Sequence, residues 1–268
     1  MVDLPERAPG ADAVQHLPHD GFDLAFLDSM PAAGKAEPVL LIHGFASSMV
    51  VNWISPGWVK TFADAGYRSI AIDNRGHGLS SKSYDADAYT PEKMAGDAVA
   101  LLDHLGIERA HVFGYSMGAR VSANLALMEP ARVATLILGG LGIGLVEGVG
   151  DWDPIADALL ATDPAQITHP RGKMFRAFAD QTKSDRRALA ACITTSRREL
   201  TEADVQRITQ PTLIGVGTKD DLAGSAEELA GLMPNATAFS IEGRDHMLSV
   251  GDRTWKKRVL EFLGQHAL

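Results

Sequence analysis

Phe113-Gly114-Tyr115-Ser116-Met117-Gly118 joins an apolar run, Ala110 to Phe113, directly to a segment with helical spacing, Met117 to Met128. A serine with glycine two residues away on either side, placed where a strand turns into a helix, reads as a nucleophile elbow. So tight a turn forces the serine into a strained backbone conformation, and side chains two residues before or after it would collide with the turn. Gly114 and Gly118 remove those side chains. Gly118, Ser122 and Ala126 then repeat every four residues, a small face on which the helix can lie close to a sheet.

The same alternation of elements recurs outward from this turn. Pro38 to Ile42 is a continuous apolar run ending in His43-Gly44-Phe45, the pattern of a strand buried on both faces. Further runs stand at Arg68 to Ile72, Val133 to Leu138, Pro211 to Val216 and Thr237 to Ile241. Helical patterns separate them at Pro56 to Ala65, Ser225 to Met233 and Asp252 to Leu263. The clearest begins at Thr90-Pro91, a capping residue followed by proline at the first helical position, and stops at Gly106. Two short alternating segments, Ala13 to Leu17 and Phe22 to Asp28, flank His19-Asp20-Gly21 and predict a hairpin. Strands alternating with helices define an α/β class, with a mostly parallel sheet covered by helices on both faces. Gly144 to Gln210 breaks the alternation with several short helical patterns and no strand. The expected division is a core of residues 1–143 and 211–268 with a helical cap insertion over 144–210; Gly139-Gly140 reads as a loop into it.

Charge and composition exclude several functions. Lys plus Arg is 25 against 34 Asp plus Glu, a net charge of −9, which leaves no basic footprint for nucleic acid. Cys192 is the only cysteine, so an intramolecular disulfide and a cysteine-rich metal site are both impossible. Met1 to Gly10 carries acids and prolines where a secretory signal needs a basic start and an apolar stretch. The longest apolar run, Val133 to Val146, contains four glycines and is too short to cross a bilayer. A cytoplasmic protein without a membrane span is expected. His-Glu-x-x-His and Gly-x-x-x-x-Gly-Lys-Ser/Thr are both missing, so neither a metal nor a cofactor is expected. One local bias stands out: from Thr168 to Arg207 nine Lys or Arg face five Asp or Glu. It reads as a solvated helical face or as a field attracting an acidic substrate.

A serine hydroxyl is a weak nucleophile at neutral pH and needs a base oriented by a third group. Of nine histidines, His246 has the right setting, in the loop Glu242 to Met247 after the last strand and before the last helix. The orienting acid belongs after the preceding strand, in Gly217-Thr218-Lys219-Asp220-Asp221. Asp220 is favoured by its distance from the strand end, with Asp221 and Asp245 as rivals, and Asp151 or Asp153 as acids from the strand before. The backbone N–H groups of Phe45 and Met117 would form an oxyanion hole, each donor worth about 2.7–4 kcal/mol in the transition state. His43 is expected to shape the loop, and Cys192, among apolar neighbours, to be packing.

Taken together, these residues resemble the α/β-hydrolase family over nearly the whole chain: the hairpin, His43-Gly44-Phe45, Asp73-Asn74-Arg75-Gly76-His77-Gly78-Leu79-Ser80, the elbow, and the order Ser116, Asp220, His246. The resemblance is greatest to the capped, single-domain bacterial esterase and hydrolase branch. It implies a serine hydrolase acting on small-molecule carboxylic esters, and Asp73 to Ser80 as a structural turn in which His77 takes no catalytic part. Trp53, Tyr115 and Met247 are candidates for the pocket lining, with Trp58 beside Trp53 at its entrance; core or surface anchoring is the alternative for the two tryptophans. Ser116 speaks against haloalkane dehalogenases and epoxide hydrolases, which use aspartate at the elbow. A carbon–carbon bond hydrolase of the ring-cleavage type is the enzymatic alternative, since Asn52-Trp53 is similar to what such enzymes carry; Met247 stands where they usually have tryptophan. Perhydrolase or haloperoxidase activity is a side reaction open to the same residues, and a ligand-binding protein on this scaffold is the non-enzymatic reading. Arg244-Asp245 departs from the family pattern, since many relatives have small residues before the base.

Overall fold

The apolar run ending at Ile42 becomes β3 (Glu37–Ile42), a central strand in the computed structural model, which describes residues 14–268. Its neighbours are β4 (Tyr67–Ile72) and β5 (Ala110–Tyr115), both parallel to it. Outward from β5 lie β6 (Val133–Gly139), β7 (Thr212–Gly217) and β8 (Ala236–Ile241), again parallel. Beyond β4 the antiparallel hairpin of β1 (Gln15–His19) and β2 (Phe22–Ser29) completes an eight-stranded sheet of order β1-β2-β4-β3-β5-β6-β7-β8. The readings of Met1 to Gly10 and of Ala13 lie outside the described residues.

Side chains of successive strand residues point to opposite faces, and both faces of this sheet are covered. Leu40 and Ile42 pack with α2 (Pro91–His104) and α3 (Met117–Met128) in one apolar cluster. Val39 and Leu41 pack on the other side with α1 (Trp58–Asp64) and the last helix. The Thr90 hydroxyl caps α2 by accepting from the Lys93 N–H, and Gly106 takes φ 64° just past its end, as the local signals predict.

Between β6 and β7 the chain forms α4 (Gly144–Glu147), α5 (Asp153–Leu160), α6 (Pro170–Gln181), α7 (Arg186–Thr195) and α8 (Glu202–Gln206). The last two helices are α9 (Ala226–Leu232) and α10 (Arg253–Gly264), and α10 buries Trp255, Val259, Phe262 and Leu263 along one stripe. Among the described residues no helix is long and apolar enough to cross a membrane.

Register decides what meets at the carboxyl ends of the strands. Ile42 pairs with Gly114, so residues 43–45 leave the sheet beside Ser116. Gly217 pairs with Ile241, so the loops holding Asp220 and His246 also leave side by side. Crevices at strand carboxyl ends are where open α/β sheets bind ligands.

Candidate active site

Ser116 has φ 54° and ψ −113°, a backbone conformation that costs a residue other than glycine about 1–3 kcal/mol. Its surroundings hold it there. The Ser116 N–H donates to the Gly139 carbonyl at 2.8 Å, and the Ser116 carbonyl accepts from the Ala119 N–H at 3.0 Å. A Cβ at Gly114 would stand 2.1 Å from the Gly118 carbonyl oxygen, and one at Gly118 would stand 2.0 Å from that of Ile42. The close approach of α3 to β3 and β5 is therefore open only to glycine at these two positions.

The Ser116 hydroxyl lies 3.0 Å from Nε2 of His246, whose Nδ1 lies 2.8 Å from Oδ2 of Asp220. The Asp220 side chain is fully buried, and its other oxygen accepts from the N–H groups of Leu222 and Ala223 at 2.9 and 3.1 Å. An ionised carboxylate only accepts, so Nδ1 carries the ring proton and Nε2 is left to accept from the serine. The rival acids are elsewhere. Asp221 is exposed, Asp245 caps a turn by accepting from the Met247 and Leu248 amides, and Asp151 accepts from the Asp153 N–H at the head of α5. Arg244, unusual before the base, is tied by its Nε to Asp252, the residue that caps α10.

On the opposite side of Ser116 the loop after β3 is locked by buried polar groups. Asn52 accepts from the Gly44 N–H at 3.0 Å, and the Asn74 side chain donates to the His43 carbonyl at 3.0 Å. His43 donates through Nδ1 to the Gly44 carbonyl and accepts at Nε2 from the Asn74 N–H. Burial holds its pKa down to about 4, and burial together with the neighbouring His43 holds His77 at about 3. Both rings are neutral at pH 7, and that of His77 packs edge-on against Phe45. Among the described residues, neither the Phe45 N–H nor the Met117 N–H has a protein acceptor. Asp73, at the head of the Asp73 to Ser80 turn, accepts from the Met49 and Leu79 amides.

Two cavities meet at Ser116, His246, Phe45 and Phe175. The smaller, about 40 Å³, is walled by Met117, Leu141, Trp152, Ile193, Arg120 and Arg197. The larger, about 450 Å³, is lined by Tyr115, Met247, Leu248, Val51 and Asn52. Tyr115 and Met247 are thus on the pocket wall. Trp53 is not, and the expectation for it and Trp58 is corrected. Both are fully buried under the opposite face of the sheet, where Phe113 lies 4.8 Å from Trp53 and 4.9 Å from Trp58 between ring centroids. Their indoles supply core area there and cannot reach substrate. Arg120, Trp152 and Phe175 were not singled out by sequence reasoning. Only Arg120 left a signal, as a cation on a turn of α3 otherwise made of small and apolar residues.

With this geometry in hand, comparison with known proteins identifies the family. A family model described as alpha/beta hydrolase fold matches residues 37–186, and the chain belongs to that family. Epoxide hydrolase B of Mycobacterium tuberculosis (strain ATCC 25618 / H37Rv) is 41% identical over 102 residues, covering 37% of this chain. The match spans only 27% of that relative's length. The non-heme chloroperoxidase of Streptomyces lividans is 32% identical over 279 residues, covering 91% of this chain and 97% of that protein. Among solved structures, a hydrolase from Pseudomonas aeruginosa PA01 superposes with a TM-score of 0.76 at 27% identity, covering 94% of this chain and 98% of the other.

Proposed function

We propose that the protein is a serine hydrolase that cleaves carboxylic esters of small to medium size through an acyl-enzyme intermediate. The observation that carries this reading is the continuous relay from Ser116 Oγ through His246 to Asp220, at 3.0 and 2.8 Å, on the wall of two cavities. Ser116 Oγ attacks the ester carbonyl carbon while His246 Nε2 takes its proton. The oxyanion of the tetrahedral intermediate accepts from the Phe45 and Met117 amides. Collapse breaks the carbon–oxygen bond, and the imidazolium returns the proton to the leaving alcohol. A water deprotonated by His246 then attacks the acyl-enzyme and releases the carboxylic acid. Asp220 holds the imidazole in the productive tautomer and stabilises its charged form.

Two cavities of unequal size support a substrate with one short and one longer arm. Residues 144–210 serve as a helical cap on a core of 1–143 and 211–268, bringing Trp152, Phe175, Ile193 and Arg197 to the cavity walls. Serine at position 116 favours an acyl-enzyme over the aspartate chemistry associated with epoxide hydrolases. The chloroperoxidase relative, similar over 91% of this chain, favours one second reaction: hydrogen peroxide replaces water as acyl acceptor, and a peracid leaves.

The test is a panel of short esters, amides and vinylogous diketones with purified protein and its Ser116→Ala variant. Ester turnover should fall by roughly 10⁴–10⁶-fold in the variant, and a fluorophosphonate should label Ser116 alone. A variant keeping a tenth of the activity overturns the mechanism. Turnover of diketones alone points to carbon–carbon bond cleavage, and a single cycle that leaves modified protein points to a ligand receptor.

A further inference from the structure

The basic excess of residues 168–207 is mostly spent away from the site. Arg176 and Arg186 pair with Asp180, Arg198 with Glu92 and Arg207 with Asp204. Arg187 lies over the Tyr84 ring, and Arg171 donates to the carbonyls of Val149 and Asp221. Arg197 is different, because it stands on the wall of the smaller cavity beside Ser116. Its guanidinium lies over the Trp152 ring, 3.0 Å from the centroid, and its Nε is buried without a hydrogen-bond partner. The buried Trp152 Nε1 lacks one too.

Arg120 lines the same cavity from α3, only 3% exposed. Its guanidinium donates to the carbonyls of Gly144, Leu145 and Arg198 at 2.8 to 2.9 Å, all of them neutral oxygens. Among the described residues no carboxylate lies within ion-pair distance of either arginine. The field of the exposed Glu199 reaches both from farther off. Taking cations out of water without a counter-charge is unfavourable. Burial pulls Arg120 down to about 10, and burial with the repulsion of Arg120 pulls Arg197 down to about 8. An anion in this cavity would relieve both, and a guanidinium fork matches a carboxylate better than any other side chain does.

We propose that the smaller cavity is a carboxylate subsite, with Arg197 as its specificity residue, and that the preferred substrates are monoesters of short dicarboxylic acids. This rests on the ester-hydrolase reading above. A cavity of about 40 Å³ has room for roughly three water-sized groups at about 10–15 Å³ each. That fits the three heavy atoms of a carboxylate, with the one or two methylenes that join it to the scissile carbonyl lying at the cavity mouth beside Ser116, and leaves the alcohol in the larger cavity.

The experiment compares kcat/KM for monomethyl succinate, for neutral methyl butyrate, and for butyryloxyacetate, which carries its carboxylate on the alcohol side. Monomethyl succinate should be favoured over methyl butyrate by 10-fold or more. R197Q should bring that ratio close to one, chiefly through KM, R197K should restore part of it, and R198Q should leave it unchanged. Calorimetry supplies an arm without chemistry, in which succinate should bind the S116A protein but not S116A/R197Q. Equal rates for the charged and neutral esters, unaffected by R197Q, overturn the subsite and leave the hydrolase reading standing. Arg197-dependent succinate binding with no ester turned over keeps the subsite and overturns the hydrolase reading. A preference for butyryloxyacetate overturns the acyl-side placement.

Discussion

The hydroxyl of Tyr115 donates to the backbone carbonyl of His246 at 2.5 Å, and the two rings lie 5.5 Å apart between centroids. The residue next to Ser116 therefore holds the loop that carries His246. Ser116 and His246 are registered through one side chain as well as through the bond between them. Burial raises the Tyr115 phenol well above its ordinary pKa, so it stays a donor throughout the working range.

Tyr115→Phe keeps the ring and removes that tie. Stability should fall by about 1 kcal/mol, the net worth of a typical intramolecular hydrogen bond, here to a partly buried carbonyl. Ester kcat should fall several-fold to about 30-fold as the base loses its placement, with KM for a small ester nearly unchanged. A wild-type kcat in the Phe variant would reduce Tyr115 to packing.

Asp220→Asn should cost on the order of 10⁴-fold in kcat, because an amide that offers N–H toward Nδ1 selects the wrong histidine tautomer. Asp221→Asn, an exposed change, should cost less than two-fold by the same steady-state assay. The reverse pattern would move the orienting role to Asp221.

Gly118→Ala places a methyl 2.0 Å from a main-chain oxygen of β3, which no rotamer change can relieve. The protein should lose at least about 3 kcal/mol, at the upper end of overpacking penalties, and ester activity should fall with the displaced elbow. Urea melts and an ester assay check both, and a variant as stable as the parent would show that α3 can lift off the sheet freely.

Stability should also depend on pH through His43 and His77. Their pKa values are about 4 and about 3 in the folded protein, against an ordinary unfolded value of about 6.5. Between those limits the unfolded chain binds protons that the native state refuses, so unfolding free energy falls as pH falls. Each histidine contributes about 1.4 kcal/mol per pH unit there, or about 2 kcal/mol between pH 7 and pH 5. Urea midpoints should drop over that range and drop less in His77→Gln. An identical slope in the variant would count against the buried, neutral state of His77.

Local chemistry made much of this protein legible from its sequence. The spacing Gly114, Ser116, Gly118 declares a strand-to-helix turn because the steric conflict it relieves lies within five residues, and continuous apolar runs declare buried parallel strands because burial on both faces leaves no polar alternation. The α/β class, the strand and helix order and the elbow followed from such short-range patterns. Distance from the strand end favoured Asp220 as the carboxylate that meets His246 but left Asp221 and Asp245 open, since all three sit in loops whose side-chain directions depend on how β7 and β8 pair. Trp53 was a candidate for the pocket wall, yet the wide helical turn at Val50–Ile54 sends its side chain under the sheet to Phe113. The meeting of Arg120 with Arg197 beside Ser116 was likewise beyond sequence reading. Such contacts join residues far apart along the chain, and only the packing of α3 against the segment between β6 and β7 decides which groups share a cavity and which carry an unpaired charge within it.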